Sequence, residues 1–70
     1  MSEERFFGRI RMYDNFKGFG FIRREKGKDV FFFYDDIEGD DRNIVEGDTV
    51  SFYVQLAPKG PRAKNLLKEA

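Results

Sequence analysis

The sequence predicts an all-β chain folded as a small five-stranded antiparallel barrel, and three observations predict it. Apolar and polar residues alternate with a period of two along most of the 70 residues, the signature of half-buried strands. Short strand-like runs are separated by clusters of Gly, Pro, Asn and Asp, which punctuate β structure. No stretch holds a helical period for long enough to supply a packed helix. There is no internal repeat, low-complexity segment or linker, so one domain over 1–70 is expected.

The first strand is expected around Gly8-Arg9-Ile10-Arg11-Met12-Tyr13, with Arg9, Arg11 and Tyr13 on one face and Gly8, Ile10 and Met12 on the other. Asp14-Asn15-Phe16-Lys17 reads as a turn. In the second strand Phe19 and Phe21 share a face opposite Gly18, Gly20 and Ile22, and Arg24 to Lys28, with Gly27 inside it, is a hairpin loop. In the third, Phe31 and Phe33 oppose Val30, Phe32 and Tyr34 if the strand stays regular that far. Asp35 to Asp48 is an acidic, irregular connection broken by Gly39 and Gly47. Thr49 to Leu56 is β-branched and aromatic enough for a fourth strand. Ala57-Pro58-Lys59-Gly60-Pro61 forms a turn, and Arg62 to Leu67 supplies a fifth strand, although its Ala, Lys and Leu equally suit a short helix. Five short strands with one long connection fit the OB-fold, a partly open barrel, and closure protects strand edges from mispairing.

Composition removes most catalytic chemistry. The chain has neither cysteine nor histidine, so it lacks a thiol nucleophile, a disulfide framework, a Cys-based metal site and the usual proton shuttle. Without histidine, Ser2 and Ser51 have no activating base. A calcium loop from Asp35 to Glu46 fails because Ile37 and Gly39 occupy ligand positions. Gly18 and Gly20 are no dinucleotide fingerprint, since Arg23 stands where the third glycine belongs. The expectation is a protein that is not an enzyme and needs no cofactor or metal. The polar start Met1-Ser2-Glu3-Glu4-Arg5 differs from a secretory signal, and the run Val30 to Tyr34 is far too short to span a bilayer. A soluble, cytoplasmic monomer is expected.

The formal net charge is zero, with 13 basic and 13 acidic residues. Zero looks unfavourable for phosphate binding, which draws on Lys and Arg. The distribution changes that reading. From Arg5 to Lys28 eight basic residues face only Asp14 and Glu25, a balance of +6; from Asp29 to Asp48 eight acidic residues face only Arg42, a balance of −7. The basic segment also carries much of the aromatic content, and that combination points to an interaction surface.

Spacing decides where the aromatic side chains belong. If Phe19, Phe21, Phe31 and Phe33 pointed inward, Ile22, Val30 and Phe32 would all face solvent. Placing Ile22, Val30 and Phe32 in the core instead leaves the four phenylalanines outside together, near Arg11 and Lys17. An exposed apolar patch of that size marks an interaction site. Every base has a π-face, and stacking on aromatic side chains contributes ~1–3 kcal/mol per base. Docking of a protein partner on the same patch is the alternative.

Lys17-Gly18-Phe19-Gly20-Phe21-Ile22 resembles the first ribonucleoprotein motif of cold-shock domains, and Val30-Phe31-Phe32-Phe33-Tyr34 resembles their second. Gly8-Arg9-Ile10-Arg11, Glu46-Gly47-Asp48-Thr49-Val50-Ser51-Phe52 and Gly60-Pro61-Arg62-Ala63-Lys64-Asn65 resemble the family's first, fourth and last strands. The resemblance runs from about Gly8 to the C-terminus, leaving 1–7 as an N-terminal extension. An RRM shares the first motif, but there the second motif lies upstream and two helices are required. The resemblance implies an OB-type barrel that binds single-stranded RNA or DNA, as an RNA chaperone or a modulator of transcription or translation. Carried over by position, base stacking falls on Phe19, Phe21, Phe31, Phe33 and Tyr34, with Met12 lining the surface, and polar contacts fall on Arg11, Lys17, Lys59 and Asp29.

Three departures from the family pattern accompany these blocks. Met12 stands where the family usually has Trp, exchanging a large stacking platform for a flexible thioether. Phe33 stands where it usually has His, keeping the ring without the hydrogen-bonding edge. The acidic loop is one residue shorter and lacks an aromatic; Arg42 is the residue there able to stack through its guanidinium. Phe6 and Phe7 precede the usual start and are expected either to lengthen the first strand or to cover the barrel's end.

Overall fold

The computed structural model describes residues 5–38 and 43–69. Five strands, β1 (Phe6–Asp14), β2 (Phe19–Arg24), β3 (Val30–Phe33), β4 (Thr49–Ala57) and β5 (Gly60–Lys68), form a closed barrel in the order β1-β2-β3-β5-β4. Among the described residues the non-strand element is a single 3-10 turn, Tyr34–Asp36, and no helix is long and apolar enough to cross a membrane. The expected all-β barrel is therefore present. Its seams are antiparallel except β3 to β5, which is parallel at Phe31 and Arg62. The exception follows from parity, because strand directions cannot alternate all the way around a closed ring of five.

The core holds the residues that alternation sends inward. Ile10, Ile22, Val30, Phe32, Ile37, Ile44, Val50, Phe52, Ala63 and Leu66 are buried together. Ile37 bridges to Leu66, and Ile44 is also buried, so the β3–β4 connection contributes to the core on both sides of 39–42. Burial on this scale is the main favourable contribution to folding, at ~1.5–3 kcal/mol for each large apolar side chain fully removed from water. Gly20 is required by close packing, since a Cβ there would stand 2.8 Å from ring carbons of Phe32.

Two bulges bend the strands so that the sheet closes. One lies in β1, where the register passes from Ile10 opposite Ile22 directly to Met12 opposite Phe21. The other lies in β5, where Asn65, at φ 51°, adopts the left-handed conformation that Asn tolerates better than most residues. The first bulge corrects the expected alternation. Beyond Ile10 the faces exchange, so Tyr13 turns inward with its ring centroid 5.4 Å from that of Phe32, and Met12 moves outward.

Strand ends shift by a residue or two from those expected, and the alternatives left open at Phe6-Phe7 and in the last segment both resolve as strand. β1 begins at Phe6, with Phe6 opposite Phe52 and Phe7 opposite Ser51, so both phenylalanines lengthen the strand. β3 ends at Phe33, whose N–H bonds the Asp36 carboxylate at 2.9 Å as the chain enters the 3-10 turn, although the Tyr34 N–H still reaches the Gly18 carbonyl beside β2 at 2.8 Å. The last segment is a strand, with Ala63 and Leu66 in the core; burial outweighs the weak helical preference of its residues.

Candidate nucleic-acid interface

β2 and β3 place Phe19 directly opposite Phe33 and Phe21 directly opposite Phe31. Ile22, Val30 and Phe32 take the inner face, so the four phenylalanines form a square on the outer one. Phe21 is 36% and Phe33 43% exposed, while Phe19 and Phe31 are half-buried. Each strand's pair meets edge to face: Phe19 and Phe21 at 6.1 Å and 88°, Phe31 and Phe33 at 5.4 Å and 85°. This is the favoured geometry of an aromatic pair, and it holds the rings in place before any ligand arrives.

The β1 bulge adds Met12 to this face, across from Phe21. Alternation alone put Met12 inward; the family resemblance put it on the surface, and the half-exposed side chain lies there. Arg11, the residue left without a partner in the register, reaches Asp29 at 2.7 Å. That exposed ion pair neutralises part of the positive potential beside the rings. Among the described residues Lys17 has no ion-pair partner and is exposed. Its turn is fixed by Asp14, whose Oδ1 accepts the Phe16 and Lys17 N–H groups, each at 3.0 Å, and by Gly18 at φ 78°. Tyr34, exposed at the end of β3, borders Gly18. Lys59 stands apart, at the exposed tip of the β4–β5 hairpin.

Two features were not anticipated from the sequence. Phe16, treated there only as part of a turn, is 97% exposed beside Lys17. Behind Phe33 lies a charge cluster: the Asp36 side chain, 1% exposed, accepts Arg62 Nε and an Arg62 terminal nitrogen, both at 3.0 Å, and pairs with Lys64 at 3.1 Å. Burial pushes the Asp36 carboxyl upward, but hydrogen bonds from Arg62, the Phe33 N–H and Lys64 outweigh it and leave the group below its ordinary value. The same bond raises the Arg62 guanidinium. Held in this way, Arg62 lies over the Phe33 ring with its central carbon 4.7 Å from the centroid, a cation–π contact. Arg62 and Lys64, two apart on β5, share a face, but the parallel β3–β5 seam brings them to Asp36, and no local pattern signals that meeting.

Among the described residues no group of three or more His, Cys, Asp or Glu gathers as a metal site. Gly39, Asp40, Asp41 and Arg42 lie outside the described residues, and with them the stacking role suggested for Arg42.

The model of the 'Cold-shock' DNA-binding domain family matches residues 6–69. The cold shock protein CspD of Bacillus subtilis (strain 168) is 44% identical over 62 residues, covering 87% of this chain and 94% of that protein. The Retron Se72 cold shock-like protein of Salmonella heidelberg (strain 579083-10) is 46% identical over 63 residues, with 87% and 94% covered. Among solved structures, drosophila Unr CSD456 superposes with a TM-score of 0.83 at 27% identity; the match covers 99% of this chain and 28% of that longer one. On a family match that starts with β1 and runs through β5, the chain belongs to the cold-shock family of nucleic-acid-binding domains.

Proposed function

We propose that the protein binds unpaired RNA or DNA without catalysis, as an RNA chaperone or a modulator of transcription or translation in the cytoplasm. The observation that carries this reading is the phenylalanine square, four rings in direct register on the outer surface of β2 and β3. Paired bases already stack on one another, so an aromatic platform favours unpaired strands and shifts hairpins open by mass action. The binding residues are Phe19, Phe21, Phe31, Phe33 and Tyr34 with Met12, and Arg11, Lys17 and Lys59 meet phosphates.

An unstructured pyrimidine-rich oligonucleotide is expected to bind more tightly than its duplex, read by anisotropy of a labelled strand because the chain has no Trp. Equal affinity for both would reject the proposal. A complex with another protein that survives nuclease treatment would favour the protein-docking alternative. Lys17→Gln is expected to lower the slope of log affinity against log salt by about 0.7, the contribution of one phosphate contact on a single strand. An unchanged slope would remove Lys17 from the set.

A further inference from the structure

Beyond the aromatic face, the outer surface of β1 and β2 carries an arrangement that the fold alone gives no reason to keep. Arg9 stands directly opposite Arg23 on the neighbouring antiparallel strand. Like charges in that relation destabilise a sheet. No carboxylate lies within ion-pair distance of either guanidinium among the described residues. Both side chains are exposed, and both line one open groove of about 540 Å³ with Phe7, Gly8, Arg24, Glu25 and Thr49. Gly8, also in the lining, has no room for a side chain, since a Cβ there would meet the Arg23 carbonyl at 2.6 Å and the buried Ile22 side chain at 2.7 Å. Phe7, 62% exposed, adds an apolar wall. Glu25 is the groove's carboxylate, against Arg9, Arg23 and Arg24; Arg24 already donates its Nε–H to the Lys28 carbonyl at 2.8 Å.

The groove follows the aromatic face along β2. Arg23 follows Phe21 by two residues on β2, so both project outward, roughly 7 Å apart along the strand. A nucleic-acid strand whose bases stack on Phe19 and Phe21 and continues along β2 therefore meets Arg23 and Arg9 next. Two facing guanidiniums present fork-shaped donor sets that match an anion with several acceptor oxygens.

We propose that Arg9 and Arg23 form a phosphate clamp that extends the footprint of a bound single strand past the aromatic face into this groove. The inference rests on the single-strand reading above, with the aromatic face as the primary site and the clamp as its extension. Repulsion between the two arginines costs stability in the free protein, and a phosphate bound between them relieves it in the complex. Departures from local rules of this kind concentrate at functional sites.

The test compares labelled oligothymidylates of about four and about ten nucleotides, within the range of site sizes of such barrels. Wild-type protein is expected to bind the longer strand more tightly. Arg23→Gln, and separately Arg9→Gln, should leave the short strand's affinity unchanged and weaken the long strand about fivefold at ~0.1 M salt, with the salt slope lower by about 0.7. Either variant should melt no lower than wild type, because the like-charge pair is gone. Lys26→Gln, an exposed change in the β2–β3 loop outside the groove, should preserve the advantage of the longer strand. Equal losses on both lengths, an unchanged long-strand affinity, or the same loss from Lys26→Gln would overturn the clamp and leave the aromatic site standing. Failure of wild-type protein to bind either length would overturn both.

Discussion

Alanine at Phe21 or Phe31 is expected to weaken binding of an unpaired oligonucleotide by ~1–3 kcal/mol, the value of one stacked base, or about 5- to 150-fold in Kd. These two rings sit at the centre of the face. They oppose each other across β2 and β3, Met12 continues the row on β1, and Arg62 continues it on β5. Either loss also frees an edge-to-face partner, Phe19 or Phe33, from the ring that orients it. The barrel should survive, since both rings lie on the outer surface and the core beneath them is Ile22, Val30 and Phe32. The double variant should lose less than the sum of the single losses, because adjoining residues that share one ligand group do not act independently. Titration by anisotropy, with a thermal melt of each variant, separates binding from stability. Wild-type affinity in both single variants, with the fold intact, would refute stacking at this face.

The inner and outer faces of β2 and β3 were legible because those strands are regular. Every second residue from Gly20 to Ile22 and from Val30 to Phe32 turns inward, and the sequence offers only one assignment that spares Ile22, Val30 and Phe32 from solvent. β1 was legible only as far as Ile10. A bulge adds one residue without altering composition, and the one here, at Arg11, reverses the faces of Met12 and Tyr13. What marks it is the packing partner, Phe32 beneath Tyr13, which no local pattern contains. The parallel seam was likewise hidden in the chain yet fixed by closure, since an odd ring of strands cannot alternate throughout. At the site, the phenylalanines showed in the spacing, whereas the Asp36, Arg62 and Lys64 cluster joins residues 26 and 28 positions apart. Asp35 to Asp48 was read as one acidic connection, and that reading concealed that its second carboxylate is buried and supports the face.

Asp36→Ala is expected to destabilise the protein by about 2–3 kcal/mol at neutral pH, below the ~3–5 kcal/mol of a fully buried broken pair, because Arg62 and Lys64 are part-exposed and regain water. The change removes the acceptor of both Arg62 bonds and of the Phe33 N–H, and it unpins the guanidinium over the Phe33 ring. Its pH dependence has a definite sign. The folded carboxyl titrates below its ordinary value of 3.8, so the unfolded chain takes up the proton first as pH falls. The stabilisation from ionised Asp36 is therefore fully present above the ordinary carboxylate range and is lost as pH drops through the lowered folded value. Denaturant unfolding of wild type and Asp36→Ala at pH 7 and at successive lower values should show the gap narrowing below about pH 4. A gap constant across that range would mean that the carboxylate stabilises by shape alone. Binding supplies the second readout: with Arg62 released, the variant should lose affinity for the single strand even at pH 7 and a temperature where it remains folded. An intact affinity would confine the cluster to stability and leave Phe33 positioned by Phe31.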